Sequence, residues 1–551
     1  MVKKGRLWSN LEHPSPFSWL TTMGIQQTLA DNLHVVLPLV LALVFVLYKI
    51  RPSTGLRSLP LPPGPKPHWL LGNVLDMPKE YPWVRFREWT DTYGDVVFLH
   101  LPMQPTILVG TAKAAFDLLE KRSHLYSDRT ETVMDKLMYW DWDFGFLGYN
   151  AKWRRHRKLF HQHFAPTVIS KYHPIQIQQA RGYIRRMLSN LNPTAPVDEI
   201  RLTFAAVILK VTYGMNVTSM NDEYIKWAQK ALEGISEAKV PGAYWIEFFP
   251  WFKWIPSWVP GASFRKLADQ YRPYTEKMVH YPFETVRKAA DNGVEIPSVV
   301  YSLIKEARET FSDRKDQEDM ELAARDTMGV AYAAGFDTTT AAGQGFILGM
   351  AMNPEFQRKA QAELEAVVGP KRLPDFSDYE SLPCCRAIVL ESMRWLPVTP
   401  FAIPHKLIQD DEYNGYLIPK GTTVIPNSWA MLHNPEDYPD PERFLPERFL
   451  TKDGKLNPEV RDPTTFSFGY GRRICPGRFL SNDSLFIVVA STLHCFNIEA
   501  ACDKDGKPAD LNAASQMMSG FLSGPTAVPC VFKPRSEAAI KLVQDTANES
   551  W

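Results

Sequence analysis

Residues 466–480 read FSFGYGRRICPGRFL and set Cys475 among glycines and arginines, in a chain with only six cysteines. Three chemistries are open to such a loop: its amides could cradle a phosphate, its thiolate could ligate a metal, or its glycines could serve a turn and nothing more. The phosphate reading fails on spacing, because Gly469 and Gly471 begin a GxGxxG whose third position is Ile474, with no βαβ unit around it. A bare turn explains the glycines but neither the arginine nor the cysteine. Metal ligation accounts for more. Gly471 and Gly477 give bare backbone beside the sulfur for a planar cofactor, Phe468 can shield it, loop amides can tune it, and Arg473 can reach a carboxylate on the cofactor edge. One thiolate with no second protein ligand nearby suits haem better than zinc.

Phe468, Gly471, Arg473, Cys475 and Gly477 match every fixed position of FxxGxRxCxG, and the stretch resembles the haem-binding loop of the cytochrome P-450 family. That resemblance implies further marks upstream, in a set order. AGFDTT, residues 334–339, resembles the family's oxygen-activating helix, where small residues pass close over haem, Thr338 hydrogen-bonds dioxygen and Asp337 relays protons. Threonines are mediocre helix formers, so a local break is expected there. Glu391 and Arg394 form an ExxR on one helical face, and the apolar flanks AIVL and WL predict burial, which calls for another partner. In the family that partner is the arginine of a PERF-like segment, here Arg448 of residues 446–449; the PERF at 441–444 is a decoy.

In WRRHR, Trp153 and Arg157 share a face with Phe160 and Phe164, while Arg154, Arg155 and Lys158 point elsewhere. The inner face resembles the family's haem-propionate contact and the outer one suits an acidic electron donor; alone, the same pattern reads as an amphipathic basic helix. His405 in AIPHKL is placed like the family's propionate-binding His or Arg. The resemblance covers about residues 59–535, and VPGAYWIEFFPWFKWIPSWVPG and AIPHKLIQDDEYNGYLIPKGT are similar to fungal secondary-metabolism groups, the mushroom tryptamine 4-monooxygenases and the O-methylsterigmatocystin oxidoreductase-like group among them.

The resemblance implies a haem-thiolate monooxygenase with haem b as cofactor, Cys475 as axial iron ligand and C–H hydroxylation as the typical reaction. NADPH would act only through a partner, because neither a Rossmann fingerprint nor room for a flavin domain follows residue 535. The partners implied are NADPH–cytochrome P-450 reductase, with cytochrome b5 as an additional candidate, a small-molecule substrate and membrane lipid. Two other readings are a reductase-independent haem-thiolate isomerase or dehydratase, and a non-catalytic haem carrier or sensor. Family likeness places Val330, Ala331, Ala334, Phe401, Ala402, Ile403, the loop 125–146 and the turn 517–524 around the substrate. Tyr139, Trp140, Trp142 and Phe144 would make an aromatic wall for a mid-sized apolar substrate such as a terpenoid, an aromatic polyketide or an indole.

The elements that must hold these residues are mostly helical. Helical periodicity marks 112–122, 152–164, 174–191, 203–213, 321–350, 354–368, 386–396 and 482–496; strand-like stretches are short, at 95–101 and 106–110. The expected fold class is mainly α with small β-sheets (α+β), a cytochrome P-450 fold in one large haem domain behind an N-terminal membrane anchor. The expected divisions are an extension 1–32, a transmembrane anchor 33–50, a proline-rich spacer 51–67, a catalytic domain 68–535 and a tail 536–551. Within 33–50, strictly apolar residues run from Val35 to Tyr48, and His34 and Lys49 extend the span as interfacial residues. Nearby Lys and Arg residues favour a cytosolic body, hence a single-pass protein of the endoplasmic reticulum membrane. Residues 239–261, aromatic and broken by prolines, read either as a core cap or as a second surface dipping into the bilayer.

Composition agrees with these divisions. The 551 residues carry 62 Lys and Arg against 61 Asp and Glu, a balance that suggests no nucleic-acid partner. A hydrophobic fraction of 45% with 12% aromatics excludes wholesale disorder. The cysteines have no CxxC pair and no disulfide framework, and adjacent Cys384 and Cys385 read as buried, inert thiols.

Overall fold

The computed structural model describes residues 55–189, 195–259 and 261–549. The expected anchor 33–50 and extension 1–32 lie outside them, and among the described residues no helix is long and apolar enough to cross a membrane. Residues 55–60 and 412–417 group as a small unit, in which the Leu417 amide donates to the Pro60 carbonyl at 2.8 Å. Residues 61–411 and 418–549 form the unit that holds the candidate site.

Helices dominate that second unit, and their starts follow from capping side chains. Asn150 accepts the Trp153 amide at 2.9 Å and opens Ala151–Phe164; Asp313 accepts the Lys315 amide at 3.0 Å and opens the long helix Arg314–Met352. The helix expected at 203–213 begins earlier, at Ala195, because Pro196 falls in its first turn, where a missing N–H costs nothing. Ser263–Asp291 is a helix that the sequence reading left unassigned, since Pro273 and Pro282 argue against it. Its stripe of Phe264, Leu267, Tyr271, Met278, Phe283 and Val286 is buried, and that burial outweighs two lost backbone bonds. The expected tail contains another helix, Glu537–Asp545, followed by Thr546, whose carbonyl accepts from Arg185 at 2.8 Å.

The sheets are small. Val96–Leu99 pairs antiparallel with Thr106–Val109, which runs parallel to Thr423–Pro426, whose far edge carries His405–Lys406 with His405 opposite Val424. A separate ribbon pairs Phe496–Ala500 with Cys530–Pro534. The strands Val96–Leu99 and Thr106–Val109 are buried throughout, as their unbroken apolar runs require.

Arg314–Met352 is the central element. It stays helical through 334–339, so the local break expected at the threonines does not occur. Instead Thr338 Oγ1 donates to the Ala334 carbonyl at 2.7 Å and Thr340 Oγ1 to the Phe336 carbonyl at 2.9 Å, which accommodates these residues inside the helix. Glycine lets the neighbouring Ala195–Tyr213 helix come close: a Cβ on Gly343 would lie 2.4 Å from Ile200.

The Pro383–Trp395 helix buries Glu391 and Arg394 completely, with both side chains 0% exposed. Arg394 grips the carboxylate at 2.7 and 2.9 Å and also donates to the carbonyls of Leu432, Pro441 and Arg443. Of the two PERF arginines, Arg448 reaches Glu391, at 3.3 Å; Arg443 is exposed and supplies its carbonyl to both Arg394 and Arg448. Glu391→Gln would leave two cations uncompensated, so it is expected to cost about 3–5 kcal/mol, whereas Arg443→Ala should stay within about 0.5 kcal/mol. Denaturant unfolding measures both, and equal losses would mean that the wrong arginine has been placed in the cluster.

Candidate active site

Thr464–Ser467 makes one helical turn, after which the Cys475 amide donates to the Phe468 carbonyl at 2.8 Å and closes the cysteine loop. Gly471, at φ +54°, is required there, because a Cβ would sit 2.1 Å from the Leu119 carbonyl. That carbonyl lies in Phe116–Lys121, where the helix expected at 112–122 widens into a π turn, and the Gly471 amide donates to Glu120 at 2.6 Å. The constraint on Gly471 thus comes from the protein packed behind the loop, whereas a Cβ on Gly477 would lie at an ordinary 3.9 Å from Cys475 Sγ. The amides of Gly477 and Arg478 hydrogen-bond the sulfur. Burial pushes the thiol up, against those amides and the charges of Arg157 and Arg478. A buried sulfur that is costly to ionise alone, yet supplied with donors, is suited to a metal that stabilises its thiolate.

Cys475 lines a cavity of about 300 Å³. Phe468, Arg473, Gly477, Trp153, Arg157, His405 and Thr338 line it as well, with Val330, Ala331, Ala334, Ala402 and Ile403. Ala334 is exposed although it sits mid-helix, because the cavity opens over it. Four expected members stand back. Phe401 does not line the cavity but is buried behind it, 6.1 Å from the ring of Phe521, which does. Trp142 stacks on Trp140 at 5.6 Å and donates to the Tyr139 carbonyl, while the Tyr139 hydroxyl bonds His280 at 2.9 Å, so the aromatic wall is two layers deep. Asp337 is directed to Arg201 Nε, 3.4 Å away, and is no part of the lining.

Four basic side chains border this cavity. Arg473 is buried, donates to the carbonyls of Ser127, Phe144 and Leu147, and lies 4.4 Å over the Trp153 ring. Burial lowers its pKa from the usual 12.5 to about 9. His405 bonds the Tyr126 carbonyl through Nδ1 at 2.7 Å, and burial with the charges of Arg129 and Arg473 holds it well below the usual histidine range. Arg129, absent from the sequence-derived site, donates to the carbonyls of Gly145, Ile403 and Pro404. It is a single arginine in a loop, and no periodicity or motif marks it. Arg157 has no hydrogen bond or ion pair among the described residues, and burial lowers it to about 10. An unpaired, largely buried guanidinium beside a thiolate-competent cysteine is the donor set for an anionic, metal-bearing ring, so these residues fit haem. On the outer face Arg154, Arg155 and Lys158 are exposed, as is Arg472, whereas Arg478 folds back onto the Cys475 carbonyl at 3.0 Å.

Asp143 lies in the loop 125–146 expected around the substrate, but no motif singles it out. It is 8% exposed, lines the cavity, and accepts the Gly145 amide at 2.7 Å. Burial is the first cause that raises its pKa, to about 7.

Comparison with known proteins agrees with this arrangement. The sequence profile of the family described as Cytochrome P-450 matches residues 62–523. The chain is 40% identical to a cytochrome P-450 monooxygenase of Coprinopsis cinerea, over 89% of this chain and 94% of that one. It is 40% identical to the tryptamine 4-monooxygenase of Psilocybe cyanescens, over 88% and 94%, and 38% identical to a cytochrome P-450 monooxygenase of Hericium erinaceus, over 90% and 93%.

The raised Asp143 carboxyl has a signed consequence for stability. The folded protein binds that proton more tightly than the unfolded chain, so the favourable contribution is full below the unfolded value of 3.8 and is lost as pH rises through about 7. Asp143→Asn is therefore expected to stabilise the protein at pH 8, by at most about 4 kcal/mol, with the gain fading as pH falls from 7 toward 4. Thermal unfolding across that range checks it.

Proposed function

The chain belongs to the cytochrome P-450 family and is a monooxygenase, and we propose that it inserts one oxygen atom from O2 into a mid-sized apolar or aromatic substrate of fungal secondary metabolism. The observation that carries this reading is the Cys475 loop opening onto a cavity that Thr338, Phe468 and the unpaired Arg157 also line. Haem held by Cys475 would supply the oxidising chemistry: with two electrons and two protons delivered, one atom of O2 would go to product and the other would leave as water, which a thiolate ligand favours.

This chain's residues do the rest. Arg157, Arg473 and Arg129 would hold the haem carboxylates, and Trp153 would pack at the ring edge; His405, whose Nδ1–H goes to the Tyr126 carbonyl, would join them through Nε2 once a carboxylate there favours its protonated form. Thr338 Oγ1 can turn its proton from the Ala334 carbonyl toward dioxygen in the cavity, and Asp337, on the Arg201 side of the helix, would replenish it. The aromatic and apolar walls exclude water and orient a terpenoid, an aromatic polyketide or an indole by shape. The name of the Psilocybe relative keeps the indole among these.

Electrons would come from NADPH through a separate reductase, with cytochrome b5 as a second donor, docking on the basic face of Arg154, Arg155, Lys158 and Arg472. The protein would sit at the endoplasmic reticulum membrane by its segment 33–50, with the body cytosolic. The apolar composition of that segment supports this, as do Trp251, Trp254 and Trp258, exposed at 56%, 77% and 81%. The isomerase and carrier readings are less favoured, since neither needs the alcohol of Thr338 in the cavity.

Reduced, carbon monoxide-treated protein should show the red-shifted thiolate Soret band, and Cys475→Ala should abolish it; an unchanged spectrum in the variant would refute the ligand. Product formation should need NADPH and reductase together, and turnover without them would overturn the monooxygenase reading. Thr338→Ala should keep the band but lower product formed per oxygen consumed by about tenfold or more, measured by an oxygen electrode alongside product assay.

A further inference from the structure

We propose that Asp143 anchors a protonated amine of the substrate, so that the cavity takes an aromatic molecule bearing an alkylammonium group. This rests on the monooxygenase reading and names the substrate class for the same cavity.

The carboxylate is placed and left incomplete. Asp143 lines the cavity while 8% exposed; its Oδ1 accepts the Gly145 amide at 2.7 Å, and its Oδ2 has no hydrogen bond or ion pair among the described residues. Neighbouring cations are committed elsewhere. Lys239 pairs with Asp135 at 2.5 Å, Arg325 with Asp326 at 2.6 Å, and Arg129 with backbone carbonyls. A second polar group in the same lining is unused as well: Trp140 is 1% exposed, and its indole N–H has no partner.

The surroundings favour a cation over a neutral group. Trp140 and Phe144 border the cavity together with Asp143, and aromatic faces attract a positive charge, as Phe146 in the same lining shows by holding the Lys239 ammonium 4.2 Å from its ring centre. The charged groups acting on Asp143 are Asp135, Asp326 and Lys239; the two carboxylates oppose its ionisation, and a ligand cation would offset them. A wholly apolar ligand would instead strip water from Oδ2 and give nothing back, which costs affinity. The same carboxylate therefore selects for the amine and against its uncharged isostere.

The test uses the full-length, haem-loaded protein at pH 8, where an alkylamine is protonated and Asp143 is ionised. Isothermal titration calorimetry compares tryptamine with 3-propylindole, which matches its shape without the charge. Wild type should bind tryptamine about tenfold or more tightly than 3-propylindole, the worth of one desolvated charge pair. Asp143→Asn keeps an oxygen for the Gly145 amide and should bring the ratio close to one without weakening 3-propylindole; Asp143→Ser, as a second variant, should do the same. Equal affinities in wild type, or an undiminished preference in both variants, would overturn the proposal. So would a spectrum showing the amine nitrogen on iron in wild type and variants alike. Because binding is read without turnover, these outcomes are independent of the reductase requirement, whose failure would overturn only the reaction.

Discussion

The buried carboxylate of Glu391 is the interaction on which the cysteine side of the molecule depends. It takes the guanidinium fork of Arg394, the Leu445 amide at 2.7 Å and Arg448, so two separated pieces of chain meet at a single 0% exposed charge. Arg394 carries the arrangement outward through the carbonyls of Leu432, Pro441 and Arg443, and Trp395 adds a bond to the Glu442 carbonyl at 2.8 Å. Ser467, just before the loop, donates to the Met393 carbonyl of the same helix. The cysteine loop is thus tied at its start to the helix that carries the charge cluster, while Glu120 holds it from behind at Gly471. Such a cluster tolerates its desolvation only because its donors and acceptors are used.

The cavity obeys the same physics with the opposite outcome. Arg157 keeps a largely buried charge without a partner, Asp143 keeps an unpaired oxygen, and His405 is held neutral by burial and by two nearby guanidiniums. Inside the Glu391 cluster, unsatisfied groups would be defects; bordering a large cavity, they are binding capacity. The basic members gather near Cys475 and suit an anionic ring, while the acidic member sits in the aromatic loop over residues 140–146, so one cavity offers two kinds of polar recognition.

What was legible in the sequence was whatever chemistry fixes by short spacing. FxxGxRxCxG, the ExxR pair and the WRRHR face each lie within one turn or loop; the cysteine loop and the WRRHR face meet at one cavity, while the ExxR pair forms a buried cluster of its own. Of the two PERF copies, the second supplies the arginine that lies 3.3 Å from Glu391. Less legible were groups whose importance comes from tertiary burial. Arg129 and Asp143 are ordinary loop residues until Ile403, Pro404 and Gly145 close around them. Phe401 was assigned to the lining although the neighbouring Ala402, at φ +49°, turns the chain so that Phe401 packs behind. The Ser263–Asp291 helix was hidden by two prolines whose local cost is outweighed by a long buried stripe.

The FDTT stretch shows why a motif is not yet a geometry. Successive residues on an α-helix diverge by about 100°, and of Asp337 and Thr338 only the threonine lines the cavity. Thr338 takes the cavity side, and Asp337 goes to Arg201 on the neighbouring helix. With side chains one third exposed or less on both partners, that ion pair is neither sealed nor freely solvated. A carboxylate so placed keeps contact with the exterior beside Arg201, and the Thr338 hydroxyl lies around the helix from it. The regular helix thus separates the proposed proton source from the proposed proton donor. Movement of the Asp337 side chain between its arginine and that hydroxyl becomes the step that the backbone has left to the side chains.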